Sequence, residues 1–471
     1  MTYPLVAFAL AVAIAPTYAA DWSQFRGPNG AGVSDVTDLP VEFGVGKNVV
    51  WKTELPYGPS SPILAGDRIF VTAADDERLV TICLDRKSGR ILWRREAPRG
   101  RTAEMNQLNH AASPSPVSDG ENVYVFFADF GLLSYGPDGN ERWRIPLGPF
   151  DNWMGMASSP IVAGDKVVLV CDQDSDSFMI AVDRNSGEIL WRTERPEYTR
   201  GFATPTLHRP AVGPAEVIVP GAYQVAGYSL DDGKKLWWVR GIAFEVKSLA
   251  VTDGEMLYVH GWSSTGDAEN EVLPSYAEAL AKHDANADGR FSQEESFLPM
   301  MRDRFSSYFD FDRDGFVGQR DWENTRARLA ARNALLGIRL GGRGDLTESS
   351  IVWRYRKALP NVPSPLLYQD VLYLVKNGGI VTSLNPETGE VYKQGRLRDA
   401  LGRYWASPIA ADGRVYLASE TGIITVLNAS SDWEVLSTHD LDDEVFATAA
   451  IEPGRIYFRT RGALYCFGRM D

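Results

Sequence analysis

A short motif recurs along most of the chain, and its spacing restricts the fold more than any other feature of the sequence. The stretch SSPILAGDRIFVTAA, which begins at Ser60, resembles SSPIVAGDKVVLVCD, which begins at Ser158. Apart from one long gap, consecutive copies begin about 41 to 52 residues apart, a period typical of proteins in which each repeat is one small structural unit. Six further copies begin at Ala112, Ala203, Ser248, Val362, Ala406 and Ala447.

Each copy has the pattern of a small antiparallel sheet. Two short apolar strands flank a Gly-containing turn, and a third strand ends in a second Gly turn that is followed four residues later by Trp, as at Gly139 and Trp143. Short strands separated by such turns indicate four-stranded units. One such sheet has two apolar faces, and arranging the sheets around an axis buries both. The sequence therefore predicts an all-β fold, an eight-bladed β-propeller of four-stranded blades in which Trp docks one blade on the next.

The two ends of the repeat array complement each other. The stretch NVVWKTEL, Asn48–Leu55, carries a Trp strand without the three strands that should precede it, and the last copy lacks a Trp strand. We therefore expect Val49–Thr53 to supply the outer strand of the last blade and to close the ring.

The long gap indicates an insertion in the fifth blade. The blade pattern stops at Trp262 and resumes at Gly337, so residues 263–336 are predicted to be inserted after the second strand of that blade. Helical patterns alternate there with two acidic loops, which gives a helix–loop–helix–loop–helix arrangement. The predicted division is a signal peptide at 1–19, propeller at 20–262, insertion at 263–336 and propeller at 337–471.

The first acidic loop, DANADGRFSQEE, has the ligand spacing of an EF-hand. Calcium prefers six to eight oxygen ligands, and Gly289 stands where such a loop turns sharply. The alternative interpretation is a solvated acidic turn, but two such loops with flanking helices favour metal binding. The predicted ligands are Asp284, Asn286, Asp288, the backbone carbonyl of Arg290, Ser292 through water, and Glu295.

The second acidic loop repeats the spacing 26 residues later with one change. Its last position is Asp321, one methylene shorter than the usual Glu, so we expect weaker calcium binding there or tolerance of magnesium. Because the close spacing makes the loops share the middle helix, a face-to-face pair with large opening motions is less expected, and a structural role for calcium is favoured. The predicted ligands are Asp310, Asp312, Asp314, the carbonyl of Phe316, and Asp321.

A second candidate site is the mouth of the propeller channel. The residues just before each repeat start mix aromatic and cationic side chains, a combination that could suit a flat anionic ligand, although packing is the simpler interpretation. The five His share no metal-ligand spacing and no Ser/His/Asp arrangement is visible, so no catalytic residue is predicted. The candidates at the mouth are Asn109, His110, Trp153, Met156, Arg200, Phe202, Lys247, Arg403, Trp405 and Phe446.

Composition and the N-terminus indicate the compartment. The first twenty residues are apolar and uncharged and end in small residues, which predicts a cleaved secretory signal peptide rather than an uncleaved anchor, and hence a periplasmic or secreted protein. No membrane span is expected after cleavage. The net charge of −14 argues against nucleic acid as a partner. Cys83, Cys171 and Cys466 are isolated and are expected to be buried thiols.

Repeats that end in Asp-x-x-Ser/Thr-Gly-x-x-x-Trp, as in LDRKSGRILWR from Leu84, resemble the blades of the pyrroloquinoline-quinone (PQQ) propeller superfamily. The opening DWSQFRGPNGAGVS, Asp21–Ser34, resembles the first segment of its secreted bacterial PQQ-like members. In that superfamily, quinone-dependent dehydrogenases carry an adjacent Cys pair and a calcium ion in the channel. Neither is apparent here, so PQQ binding is not expected.

The resemblance therefore favours a non-enzymatic, calcium-binding scaffold that binds an unidentified protein of the cell envelope, comparable with the eight-bladed scaffold of the outer-membrane β-barrel assembly machinery. The alternatives are a periplasmic PQQ-dependent oxidoreductase and a calcium-responsive adhesion protein. Dye reduction by protein supplied with PQQ, calcium and an alcohol would identify the oxidoreductase.

Overall fold

The computed structural model describes residues 21–75, 77–264, 266 and 272–469. The predicted signal peptide at 1–19 lies outside these residues. Eight antiparallel sheets follow one another along the chain, seven with four strands and one with a fifth, two-residue strand at its edge. The predicted eight-bladed propeller of four-stranded blades is confirmed.

The blades are numbered in chain order, and each is given from its inner to its outer strand. Blades 1 to 4 consist of Ile63–Ala65, Arg68–Asp75, Arg78–Asp85 and Ile91–Glu96; Val117–Ser118, Val123–Phe127, Gly131–Tyr135 and Glu141–Pro146; Ile161–Ala163, Lys166–Cys171, Phe178–Asp183 and Ile189–Glu194; and Thr206–His208, Glu216–Gly221, Gln224–Ser229 and Lys235–Arg240, with Gly344–Asp345 added in parallel. Blades 5 to 8 consist of Val251–Thr252, Met256–Gly261, Ala334–Arg339 and Ile351–Tyr355; Leu366–Tyr368, Val371–Lys376, Ile380–Leu384 and Val391–Arg396; Ile409–Ala411, Arg414–Ala418, Ile423–Asn428 and Val435–Asp440; and Ala450–Glu452, Arg455–Arg459, Ala463–Gly468 and Val49–Glu54.

The outer strand of blade 8 comes from the N-terminal part of the chain. Val49–Glu54 pairs antiparallel with Ala463–Gly468, with Lys52 opposite Tyr465. This pairing joins the two ends of the repeat array, so that opening the ring requires breaking a complete strand ladder.

The Gly-to-Trp spacing of the repeat has a packing explanation. Trp93 on the outer strand of blade 1 donates its indole N–H to the carbonyl oxygen of Pro137 in blade 2, at 2.9 Å. A Cβ added to Gly139 in the same turn would lie 2.7 Å from the Trp93 ring, and Gly139 has a φ of 77°, so both the backbone and the contact require glycine. The equivalent pairs are Trp51 and Gly89, Trp143 and Gly187, Trp191 and Gly233, and Trp353 and Gly389.

A ring of hydroxyl groups joins the inner ends of the blades around the channel. At seven of the eight junctions between blades, a backbone N–H of one blade donates to a Ser or Thr hydroxyl of the next blade, at 2.9 to 3.1 Å. The exception is the junction between blades 4 and 5, because Leu249 of blade 5 stands at the acceptor position and has no hydroxyl group. The Ser-Pro and Thr-Pro starts of the repeats are therefore structural. The donors Ser61, Ser115, Ser159, Leu249, Ser364, Ser407 and Thr448 pair with the hydroxyls of Ser115, Ser159, Thr204, Ser364, Ser407, Thr448 and Ser61, respectively.

Thr448→Val is expected to lower the free energy of unfolding by about 1–3 kcal/mol, because it leaves the buried N–H of Ser407 without a partner. The matched control is Thr81→Val. Thr81 is fully buried and its hydroxyl has no hydrogen-bond partner, so this substitution should be neutral or stabilising. Urea unfolding of both variants checks the prediction, and equal losses would mean that the hydroxyl ring contributes nothing specific.

The helical segment lies between the second and third strands of blade 5. It contains α1 (Tyr276–His283), α2 (Pro299–Asp303), a π-helical turn (Phe305–Phe309), α3 (Gln319–Ala330) and two short strands (Phe291–Ser292 and Phe316–Val317). It has its own apolar cluster, which includes the fully buried Phe291, Met301 and Trp322. In the part of the chain that the structure describes, no helix is long and apolar enough to cross a bilayer.

The return to the propeller differs from the expected position. The third strand of blade 5 begins at Ala334, whereas the repeat pattern placed the return at Gly337. Ala334, Leu335 and Leu336 are fully buried in the propeller core. The sequence pattern assigned these three residues to the end of the helical insertion, because a short apolar run does not distinguish a helix end from a buried strand.

Candidate functional site

The first acidic loop follows α1 and is held in a tight turn by its own side chains. The backbone N–H of Gly289 donates to Oδ2 of Asp284 at 2.9 Å, and that of Asp288 donates to Oδ1 of Asn286 at 2.9 Å. Oδ1 of Asp284 is buried and has no hydrogen-bond partner. A buried carboxylate oxygen without a donor is costly unless a cation or a proton neutralises it.

Glu295 joins the two ends of this loop. Its Oε2 accepts from both the N–H and the hydroxyl of Ser292, at 3.0 and 2.9 Å, while Oε1 accepts from the N–H groups of Ala285 and Asn286, at 3.1 and 3.3 Å. These hydrogen bonds, led by those from Ser292, lower the pKa of Glu295. The carboxylate therefore favours its charged form and contacts both ends of the loop.

The second acidic loop brings three carboxylates together. One carboxylate oxygen from each of Asp310, Asp312 and Asp314 lies within 4.8 Å of the other two. Asp321, the last predicted ligand, accepts from the backbone N–H of Gly318 at 3.1 Å and from that of Phe311 at 3.2 Å. Burial, with a smaller contribution from Asp312, raises the pKa of Asp321 to about 6. The loop thus concentrates negative charge that a cation would stabilise.

The two acidic loops lie face to face, which differs from what their spacing suggested. Phe291–Ser292 of the first loop pairs antiparallel with Phe316–Val317 of the second. The connecting helix is interrupted: α2 ends at Asp303, the next residue, Arg304, has a non-helical φ of −136° and ψ of 33°, and the π-helical turn follows. The fully buried Phe291 and Val317 pack within the apolar cluster that both loops share.

Helix α3 attaches this module to blades 3 and 4. Nη2 of Arg320 donates to the carbonyl of Asp174 at 3.4 Å, and the hydroxyl of Tyr223 donates to the carbonyl of Asn324 at 3.1 Å. The guanidinium of Arg328 lies 3.2 Å from the ring centroid of Tyr308 in the module and 4.2 Å from that of Phe244 in the propeller. Polar and cation–π contacts therefore hold the module on the propeller.

The central channel contains a cavity of about 300 Å³. Five of the residues predicted at the channel mouth line it, and Tyr57, Trp262 and Phe25 add further aromatic rings. Among the described residues that line the cavity, the charged ones are Glu245 and Lys247. The five predicted residues are Asn109, Phe202, Lys247, Trp405 and Phe446.

The other predicted mouth residues do not line the cavity. Arg200 is buried and pairs with Asp174, and Trp153 is 36% exposed at the surface. His110 packs edge-on against Tyr57, and burial lowers its pKa to about 4, so it is a neutral packing residue. Arg403 and Met156 also lie outside the lining.

The two charged side chains that line the cavity balance each other. Nζ of Lys247 lies 3.1 Å from Oε2 of Glu245, which neutralises the remaining charge. This arrangement does not favour the flat anionic ligand suggested by the sequence pattern, because Arg200 is already paired with Asp174 and Arg403 lies outside the cavity lining.

The N-terminal segment Asp21–Ser34 crosses the channel and contributes to the cavity floor, a role that the repeat pattern does not reveal. The N–H of Leu64 in blade 1 donates to the carbonyl of Trp22, and the N–H of Ala410 in blade 7 donates to that of Gly32, both at 2.8 Å. Phe25 in this segment lines the cavity. The sequence signal is indirect: a Trp and several Gly occur before the first repeat.

Comparisons with known proteins agree with the propeller. The family described as "Outer membrane protein assembly factor BamB" matches residues 44–152, 137–241 and 329–471, which together cover more than half of the chain. A curated protein of that name from Alkalilimnicola ehrlichii is 26% identical over 204 residues, 43% of this chain, and the chain spans 48% of that relative's length.

Two solved structures share the fold. BamB from Moraxella catarrhalis superposes with a TM-score of 0.56 at 14% identity, covering 89% of this chain and 97% of the other. A europium-containing methanol dehydrogenase gives a TM-score of 0.59 at 10% identity, covering 96% and 98%, respectively. At these identities the likeness concerns the fold alone, since one fold hosts many functions.

Proposed function

Because the chain belongs to the family described as outer membrane protein assembly factor BamB, we propose that it is a non-enzymatic protein-binding scaffold of the bacterial cell envelope. One observation carries the proposal. The family match ends at residue 241 and resumes at 329, so it leaves out most of the helical module and the first two strands of blade 5, and it covers propeller blades on either side. The propeller thus supplies the family's binding scaffold, and the module is an addition to it.

We further propose that the module is an EF-hand pair that binds two calcium ions. The partnerless Oδ1 of Asp284 and the convergence of Asp310, Asp312 and Asp314 within 4.8 Å support this assignment. Asp321 is shorter than Glu295, so the second site binds calcium more weakly or accepts magnesium. The metal stabilises the module and has no place in a reaction.

The proposed location is the periplasm or the cell exterior, reached through the signal peptide at 1–19. The proposed partner is a protein of the cell envelope, and binding to nucleic acid is disfavoured by the net charge of −14.

The scaffold function predicts that the purified, tagged protein captures a specific envelope protein from a detergent-solubilised membrane fraction in calcium-containing buffer. Mass spectrometry of the bound fraction, with tag alone as the control, identifies the partner. Reassembly of the two purified proteins then confirms direct binding. Absence of any specific partner, together with sustained dye reduction by protein supplied with PQQ, calcium and an alcohol, would instead identify an oxidoreductase.

A further inference from the structure

We propose that the central cavity is a receptor for an uncharged aromatic side chain that a polypeptide segment of the partner inserts. The inference rests on the proposed scaffold function and adds the chemistry of the group that is recognised. Four features of the cavity support the proposal: its shape, its aromatic walls, the ion pair in its lining, and two polar atoms without hydrogen-bond partners.

The shape is that of a socket with an exposed edge. The N-terminal segment crosses the channel and places Phe25 in the cavity lining, while ring hydroxyls such as those of Ser115 and Thr448 lie in the wall and already accept backbone N–H groups. Leu108 also lines the cavity and is 58% exposed. A concave site with mainly apolar walls and a few polar groups is the usual form of a binding pocket.

The walls favour an aromatic occupant. The aromatic rings come from separate parts of the chain and line the same space of about 300 Å³: Tyr57, Phe202, Trp405 and Phe446 lie on four inter-blade connections, and Trp262 follows the second strand of blade 5. Aromatic side chains pack favourably edge-on or offset against one another and dominate the energetics of protein interfaces. A cavity of this size accommodates a side chain more readily than a folded domain.

The charge of the lining favours an uncharged occupant. Lys247 and Glu245 pair at 3.1 Å, and their side chains are only 15% and 19% exposed. Arg200 nearby is 3% exposed and is already paired with Asp174. A charged group entering the cavity would lose its hydration and would find Lys247 and Glu245 already paired, whereas an uncharged ring avoids that desolvation cost.

Two polar atoms favour an occupant that carries an amide. The indole Nε1 of Trp405 and the Oδ1 of Asn361 have no hydrogen-bond partner, although both residues line the cavity. One is a donor and the other an acceptor. Both atoms are buried, so the Trp405 and Asn361 side chains would have to turn toward an inserted segment. A peptide group offers one C=O and one N–H and would then satisfy both. A bare hydrocarbon would satisfy neither.

The test uses short blocked peptides as probes. Acetyl-Gly-Phe-Gly-amide and the corresponding peptides with Lys, Glu or Ala in the middle are titrated into the full chain with calcium present, with isothermal titration calorimetry and saturation-transfer NMR as readouts. We expect the Phe peptide to bind at least tenfold more tightly than the other three. Equal or tighter binding of a charged peptide, or absence of binding by the Phe peptide, would overturn the proposal. Binding of free benzamide as tight as that of the Phe peptide would replace a polypeptide with a small aromatic ligand.

Matched variants locate the binding. Phe446→Asp places a charge in the cavity wall and is expected to weaken binding of the Phe peptide at least tenfold. Leu401→Asp places the same charge at a residue that is 54% exposed and outside the cavity lining, and should leave binding unchanged. Trp405→Phe keeps a ring but removes the N–H, and should weaken binding several-fold. Unchanged circular dichroism verifies that the variants are folded, and equal effects of the two Asp variants would contradict the cavity as the site.

Partner capture separates this inference from the scaffold function. If the wild type and Phe446→Asp capture the envelope partner equally well, the cavity proposal fails and the scaffold function stands. If the Phe peptide binds in the cavity while no envelope protein is captured, the scaffold proposal fails and the cavity remains a receptor for aromatic peptides.

Discussion

Removal of calcium is expected to lower the unfolding temperature of the helical module sharply. Clustered carboxylates such as Asp310, Asp312 and Asp314 repel one another without a cation. For a dissociation constant of about 1 µM, 1 mM calcium stabilises the folded module by about 4 kcal/mol. Differential scanning calorimetry with calcium and with chelator measures the change. Identical thermograms in the two buffers would mean that the acidic loops are ordinary solvated turns.

The two adjacent glutamates of the first loop provide a matched pair of variants. Glu295→Gln removes the carboxylate that accepts hydrogen bonds from both ends of the loop, so calcium affinity should fall at least tenfold, or about 1.4 kcal/mol. Glu294→Gln makes the same chemical change at an exposed residue outside the predicted ligand set and should leave affinity nearly unchanged. Isothermal titration calorimetry with calcium compares them, and equal affinities would contradict the predicted ligand set.

The eight blades were predictable because the residues that pack one blade against the next are part of the repeated motif. Trp93 and Gly139 are in contact across a blade interface, and they occupy the Trp and Gly positions of the motif. The same contact recurs at four other blade interfaces. A local pattern repeated at a fixed period is enough to predict stacked units, because neighbouring blades use the same contact each time.

The functional surface was less predictable because it depends on contacts between distant parts of the chain. Arg200 was expected at the channel mouth, but Asp174 on a neighbouring loop of blade 3 pairs with it. Phe25 reaches the cavity because its segment crosses the channel. The acidic loops meet where the short strands Phe291–Ser292 and Phe316–Val317 pair. Hydrophobic periodicity records which residues face the core and contains no information on such pairings.

Asp172→Ala is expected to lower the free energy of unfolding by about 3–5 kcal/mol. Asp172 receives two hydrogen bonds from Arg195, from Nε at 2.7 Å and from Nη2 at 2.9 Å, and the two side chains are 2% and 0% exposed. The substitution leaves a fully buried guanidinium without its carboxylate, although Arg195 keeps its contacts with Tyr228 and with the face of Tyr198. Chemical unfolding measures the loss.

An exposed Arg–Glu pair provides the comparison, since it is also a guanidinium–carboxylate pair but lies at the surface. Glu141 and Arg144 pair on the outer strand of blade 2, with side chains 31% and 49% exposed, so Glu141→Ala should cost less than about 1 kcal/mol. Replacing both buried partners by Asp172→Leu and Arg195→Met should cost less than Asp172→Ala alone, because no charge then remains unpaired. If the double variant is the less stable of the two, the loss arises from packing around Tyr198 and Tyr228 rather than from the orphaned charge, and the electrostatic explanation is wrong.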